Sequence, residues 1–356
     1  MKAGMTILVC TYNGAQRLPA TLRCIAAQQI PSGIACELLV VNNASTDNSL
    51  VVIEEEWQQY DTSINLRIIT EARPGLTFAR ETGFCAAQYD YIILCDDDNW
   101  LAPDYVQTAF AVMESLPDIG ILGGNGNFVF EEPAPAWFLS CNLYAGGKQA
   151  RESGIVNNQI VYGAGAVLRK SAYEKICAGG FVPALTDRQG MSLSSGGDHE
   201  LCYVLALAGY KIWYEDKLRF DHYITANRLS LPYYLTYIEE SARCFSVLEP
   251  YKILLKTKNS SRGRFRWELF KSFWYHIKKM GVLLITKPAA SKQADLRVLR
   301  KLQYTLLIQR LRSYRRFSIF EDNFNKAVSL QNDLLRKVKQ RKAIATNTNS
   351  NPSATR

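Results

Sequence analysis

No run of about eighteen apolar residues occurs anywhere in the 356-residue sequence, so no membrane-spanning helix is predicted. The opening stretch MKAGMTILVCTYNG has too short an apolar core for a secretory leader and reads as a strand. None of the nine cysteines (Cys10, Cys24, Cys36, Cys85, Cys95, Cys141, Cys177, Cys202 and Cys244) forms a C-x-x-C pair. A zinc site and a disulfide framework are therefore not predicted, and the thiols read as free in a reducing compartment. The first strand is not followed by G-x-G-x-x-G, which argues against a dinucleotide cofactor, and G-x-x-x-x-G-K-[ST] is missing altogether, which argues against a P-loop. No repeat with a period of tens of residues is visible.

What is present is unevenly distributed. Between Tyr251 and Lys342 there are 24 basic and five acidic residues, a net of +19; the remainder holds 18 basic and 28 acidic, a net of −10. The overall +9 thus conceals a mildly acidic body and a strongly basic C-terminal third.

The first half alternates two kinds of segment. TILVC (6–10), CELLVVNN (36–43), NLRIIT (65–70) and YDYIILCDDD (89–98) read as strands; 15–28, 46–60 and 76–88 carry helical spacing. Near-continuous apolar strands separated by helices predict a parallel sheet covered on both faces. Ligands of such sheets bind at the carboxyl ends of the strands. Thr11-Tyr12-Asn13, Asn42-Asn43 and Asp96-Asp97-Asp98 all fall there.

Three adjacent carboxylates at a strand end need an explanation. Two like charges about 4 Å apart repel by about 4 kcal/mol at an effective dielectric of 20. A raised pKa on one of them would relieve this. So would a hard divalent cation shared with a diphosphate. A solvated acidic turn is the plainer reading; the position at a buried strand's end, beside two other polar clusters, favours the cation.

TILVCTYNG, ELLVVNNASTDNS, YIILCDDDNW and GGDHELCYVLALAGYKIWYE (196–215), in this order and spacing, resemble the family 2 glycosyltransferases over residues 4 to 225. The resemblance implies a GT-A Rossmann-like mixed sheet with helices on both faces. It implies a catalytic domain over 1–230, with a nucleotide-binding half over about 1–100 and an acceptor half over about 101–230. Thr11, Tyr12, Asn13, Asn43, Asp47, Arg73, Arg80, Asp96 and Asp97 are then expected at the nucleotide-sugar. Asn42 stands where the family usually has Asp, so a different base contact is expected. Asp96 and Asp98 match the D-x-D motif that holds Mn²⁺ or Mg²⁺, with His222 as a further ligand. Asp198 matches the catalytic base, and Gly197 stands where the family often has Glu. Gly163, Gly165, Glu200 and Trp137 are expected on the acceptor side, although Trp137 also reads as a cap over the core. His199 and His276 read as surface residues.

The implied chemistry is coherent. A cation neutralises the leaving diphosphate, a carboxylate takes the acceptor proton, and the fold aligns the two substrates. One base on the far face of the sugar implies inversion. The implied function is a metal-dependent transfer from a nucleotide-diphosphate sugar to an acceptor hydroxyl in surface polysaccharide or glycolipid synthesis. The alternatives are a nucleotidyltransferase and a non-catalytic nucleotide-sugar-binding protein.

From residue 231 to 342 the pattern becomes long basic helices, followed by a tail over 343–356 predicted to be disordered. In RFRWELFKSFWYHIKKMGVLLI, Phe270, Phe273, Trp274, Ile277, Gly281 and Leu284 share a face, with Arg264, Lys271, Lys278 and Lys279 to its side. An anionic membrane surface fits this pattern. Simple packing on the catalytic domain is the second reading. Nucleic acid is disfavoured because no known module is present. The expected location is the cytoplasm, with the cytoplasmic membrane face following from the first reading.

Overall fold

The computed structural model describes residues 2–140, 145–190, 192–286 and 293–349. Strand and helix alternate first through β1 (Lys2–Thr11), α1 (Leu18–Ala26), β2 (Ala35–Asn43), α2 (Ser49–Trp57), β3 (Asn65–Glu71), α3 (Leu76–Ala86) and β4 (Tyr89–Asp96). Strands β2 and β4 flank β1 in parallel, and β3 runs parallel to β2. Next come β5 (Asn99–Leu101), α4 (Tyr105–Ser115), β6 (Ile119–Phe130), α5 (Ala136–Leu139), β7 (Gly154–Ile155), β8 (Val167–Arg169), α6 (Lys170–Ala178), α7 (Gly197–Leu207) and β9 (Lys211–Ile224). The sheet order is β3-β2-β1-β4-β8-β6-β9-β5, with β7 on β9. Strand β8 is antiparallel to both β4 and β6. The parallel sheet expected from the apolar runs covers the first four strands; β6 and β9 also pair in parallel, and the antiparallel β8 between β4 and β6 makes the whole mixed.

The period-two pattern of β1 explains the layering. Met5, Ile7 and Val9 join Leu18, Leu22 and Ile25 of α1 and Ile53 of α2 in one core. Leu8, on the opposite face, joins Ala79 and Phe84 of α3 in the other. Burying each large aliphatic or aromatic side chain contributes about 1.5–3 kcal/mol.

Five helices follow: α8 (Leu231–Ser241), α9 (Phe245–Thr257), α10 (Arg262–Ile285), α11 (Gln293–Ser313) and α12 (Phe317–Asn349). Helices α9, α10 and α12 continue the second core, while Tyr234 and Ile238 of α8 and Leu302 of α11 form a third cluster with Trp137 and Phe138 of α5. Leu254, Phe265, Leu269, Phe320 and Phe324 share a cluster with Leu201, Val204 and Leu205 of α7. Phe265 stacks on Phe324 with centroids 4.1 Å apart. The opposite side of α10 is uncovered: Trp267, Phe270 and Trp274 are 53%, 50% and 53% exposed. Phe273, expected on that face, is half-buried and packs edge-on against Tyr314. Helix α12 runs through the start of the expected tail to Asn349, and 350–356 lie outside the described residues.

Candidate functional site

The carboxyl ends of β1, β2 and β4 open into one cavity of about 1030 Å³. Asp96, Asp97, Asp98 and Asp198 all line it, as do Thr11, Tyr12, Asn43, Arg80, Gly163 and His222. The chain reaches this arrangement because each apolar strand ends where its neighbours end, and the polar residue after the last apolar one must face the crevice.

The three strand-end carboxylates have different partners. Asp97 accepts from Thr11 Oγ1 at 2.7 Å and from Arg17 Nε and Nη2 at 2.9 and 2.8 Å. This fork-to-fork pair fixes the loop between β1 and α1. Asp98 accepts from Arg228 Nη1 at 2.7 Å and from Asn99 Nδ2 at 3.1 Å. Burial opposes the charge of Asp98, but His222 and Arg228 hold its carboxyl well below the usual carboxylate range. Asp96 is drawn the other way: burial raises its pKa, and Arg80, 3.7 Å away, only partly offsets it.

His222 is buried, and its Nδ1 lies 2.8 Å from the Ala145 carbonyl oxygen. A carbonyl only accepts, so Nδ1 carries the proton. Nε2 then faces Asp98 Oδ1 at 3.6 Å. Without a second ring proton, Nε2 and Asp98 Oδ1 are both acceptors, and a divalent cation between them would take that proton's place. Among the described residues no three His, Cys, Asp or Glu side chains converge as a metal set. Asp96 therefore does not complete one with Asp98 and His222, and substrate oxygens and water would supply the other positions.

Asp198 occupies the second position of α7. Its Oδ2 accepts from Gly163 N at 2.7 Å and its Oδ1 from His199 N at 2.9 Å. A Cβ on Gly163 would lie 2.9 Å from Arg80 Nη2, so the glycine leaves room for that guanidinium beside Asp198.

Several expected site residues lie elsewhere. Glu200 is fully buried, accepts from the amides of Ala184 and Leu185, and is pushed by burial up to about 7. Two positions from Asp198 on a helix is about 200° of rotation, so both cannot face one cavity. Trp137 is 7% exposed and packs edge-on against Tyr234 with centroids 5.2 Å apart, so it caps the core. Gly165 sits behind the wall, where a Cβ would meet Phe220 and Tyr105 at 2.8 Å. Asn42 is buried, and its Oδ1 accepts from Ser45 N at 3.3 Å. Arg73 pairs with Glu71 at 2.9 Å and is 61% exposed, away from the cavity. Asn13 Oδ1 accepts from Thr46 N at 2.8 Å, and Asp47 Oδ2 from Ala15 N at 3.2 Å; both brace the rim loops. Asn43 bridges to the loop before α3, accepting from Gly75 N at 2.8 Å and donating to Arg73 O at 2.7 Å. Of the two histidines expected on the surface, His276 is buried and His199 half-buried, and both line the cavity.

Sequence reading did not assign roles to Arg17, Asp187 or Arg228, or to Tyr275 and Arg310, and it set Lys279 beside the apolar face of α10; Tyr275, Lys279 and Arg310 instead bring α10 and α11 into the cavity wall. A basic residue within reach of a D-x-D cluster is a detectable signal for Arg17 alone; the others approach only through the fold.

The family model for glycosyl transferase family 2 matches residues 6–177. Glycosyltransferase GlyA of Streptococcus pneumoniae serotype 4 is 31% identical over 118 residues, which is 33% of this chain and 16% of that protein. Chondroitin synthase of Escherichia coli is 27% identical over 122 residues, 34% of this chain and 17% of that protein. The match thus spans about a sixth of the length of these two relatives. The solved mannosyltransferase PcManGT from Pyrobaculum calidifontis, in complex with GDP-Man and Mn²⁺, superposes with a TM-score of 0.53 at 14% identity, covering 94% of this chain and 86% of that one. That likeness concerns the fold.

Proposed function

Because residues 6–177 carry a family 2 glycosyltransferase domain, we propose that the protein transfers a sugar from a nucleotide-diphosphate sugar to an acceptor hydroxyl, with inversion. The observation that carries this reading is the shared cavity: Asp198 and the three strand-end carboxylates line one crevice. Asp198 takes the acceptor proton, and its two amide donors fix the plane from which it does so. Tyr12, 45% exposed on the rim, offers a ring face to the nucleotide base, and Asp96 faces the ribose. Asp98 Oδ1 and His222 Nε2 would hold Mn²⁺ or Mg²⁺. When bound, the cation neutralises the leaving diphosphate. Complexes of a fold relative with GDP-Man and Mn²⁺ agree in kind with this assignment. A nucleotidyltransferase is not favoured. Its phosphate loop would need free cations after β1, whereas the Arg17 guanidinium is engaged by Asp97.

The test is a panel of nucleotide-sugars scored by thermal midpoint with and without Mn²⁺, followed by transfer assays with those that bind. One or more should raise the midpoint, and more so with Mn²⁺. A panel with no response removes the reading.

We assign the acceptor to a surface glycan or its lipid-linked precursor, presented at the cytoplasmic membrane face. The support is the outer side of α10, where exposed Trp267, Phe270 and Trp274 lie beside exposed Arg264, Arg266, Lys271 and Lys278. No helix among the described residues is long and apolar enough to cross a membrane. The protein should sediment with phosphatidylcholine vesicles containing about 30% phosphatidylglycerol and far less with phosphatidylcholine alone. Replacing both Trp267 and Trp274 by Ser should release it. Retention in the supernatant, or self-association through this face, overturns the assignment.

A further inference from the structure

Residue 197 has no space for a side chain. A Cβ on Gly197 would lie 2.3 Å from Asp187 Oδ2 and 2.9 Å from its Cγ. The Asp187 carboxylate therefore fills the volume that belongs to the first position of α7, although it comes from a loop ten residues earlier.

Two local features put it there. Asp187 has φ +50°, a left-handed backbone that Asp adopts more readily than most residues. Its Oδ1 accepts from Gly197 N at 2.7 Å. That amide opens α7 and has no partner within the helix, and negative charge is favoured at this end. The peptide it holds leads directly into Asp198.

The other carboxylate oxygen looks across the cavity floor. Asp187 Oδ2 is 3.7 Å from Arg80 Nη1, while Arg80 Nη2 is 3.7 Å from Asp96 Oδ1. The guanidinium, with a side chain only 13% exposed, also underlies Gly163, whose amide binds Asp198. One cation thus ties the strand-end carboxylate of β4 to the first turn of α7. Burial, with the charge of Asp198 adding to it, pushes the Asp187 carboxyl up to about 6, and Arg80 and the Gly197 amide oppose this.

We propose that Asp187 is a positioning residue for Asp198: it clamps the opening of α7 to Arg80 and so sets the separation between the base and the Asp96 end of the site. The inference rests on the glycosyltransferase reading and deepens it. It also explains the glycine at 197, because a carboxylate already occupies that volume from elsewhere.

The clamp can be moved. Three variants of the full chain are compared with a donor and acceptor pair identified by the panel: Asp187→Gly, Gly197→Glu, and both together. Glycine at 187 accepts the left-handed backbone. Asp187→Gly should lower kcat by about 100-fold, as expected for a displaced catalytic group, while KM for the donor changes little. Gly197→Glu alone should also be impaired, since the new side chain meets the Asp187 carboxylate. The double variant should recover at least about tenfold of the loss, because the carboxylate now reaches Arg80 from position 197. Thermal midpoints of all three, with and without nucleotide-sugar, show whether each is folded and binds donor. Undiminished kcat in Asp187→Gly overturns the proposal. So does a double variant no better than the product of the singles, and so does a loss of donor binding that tracks the loss of turnover. In each of these cases an active parent leaves the glycosyltransferase reading standing. A parent without transfer overturns both.

Discussion

Asp198→Asn is expected to lower turnover by about 10²- to 10⁴-fold while leaving nucleotide-sugar binding intact, the range over which a positioned general base acts. The substitution preserves shape. It replaces one acceptor oxygen by an NH₂ group, so one of the amides now bound, Gly163 N or His199 N, loses its partner. Leaving one such donor unsatisfied costs about 1–3 kcal/mol. The variant should therefore unfold at a lower temperature yet still gain stability from the donor. Measured kcat and the donor-induced midpoint shift separate the two effects. If turnover persists at the parent's rate, Asp198 is not the base.

The second large effect is expected at Asp98. Asp98→Ala leaves Arg228, 8% exposed, without the carboxylate it donates to at 2.7 Å. Removing one member of a buried pair costs about 3–5 kcal/mol, because the other charge loses its opposite. The Mn²⁺-dependent part of donor binding should disappear as well. Stability and cation binding can be told apart by adding Arg228→Ala. The double variant should regain part of the lost stability, since the arginine whose carboxylate partner was removed is gone too, but it should not regain the response to Mn²⁺. A single Asp98→Ala variant that still needs Mn²⁺ to bind donor would take Asp98 out of the cation site.

Strands β1, β2 and β4 were readable because they are buried on both faces. Such strands are short continuous apolar runs, and a polar residue after each marks where the sheet stops. Asp96, Asp97 and Asp98 followed from YIILC alone. The later sheet was less legible: β8 has three residues, and the fourteen-residue β9 carries charges through its middle. The contact between Arg228 and Asp98 spans 130 positions, and nothing periodic in either segment announces it. Glu200 is different. Its two-residue offset from Asp198 already set it on another side of α7, so its burial against Ala184 and Leu185 was within reach of helical geometry. For the basic helices two readings were open, packing and membrane, and the structure shows why a pattern could not choose. Phe265 and Leu269 of α10 are core, while Trp267 and Phe270 between and beside them are bare. An aromatic-rich helix gives the same composition to both sides.

That Tyr275, Lys279 and Arg310 help wall the cavity has a bearing on how this chain can be recombined with the proteins it resembles. The segment that matches the family model, 6–177, shares its second core with residues of α7, α9, α10 and α12. A chimera that exchanged this segment and kept a foreign carboxy-terminal half would inherit a mismatched back wall and an unfilled seam beneath α7. The helices have to travel with the sheet they complete, so what shapes the cavity is to be sought as much in the half that the family model does not match as in the segment that it does.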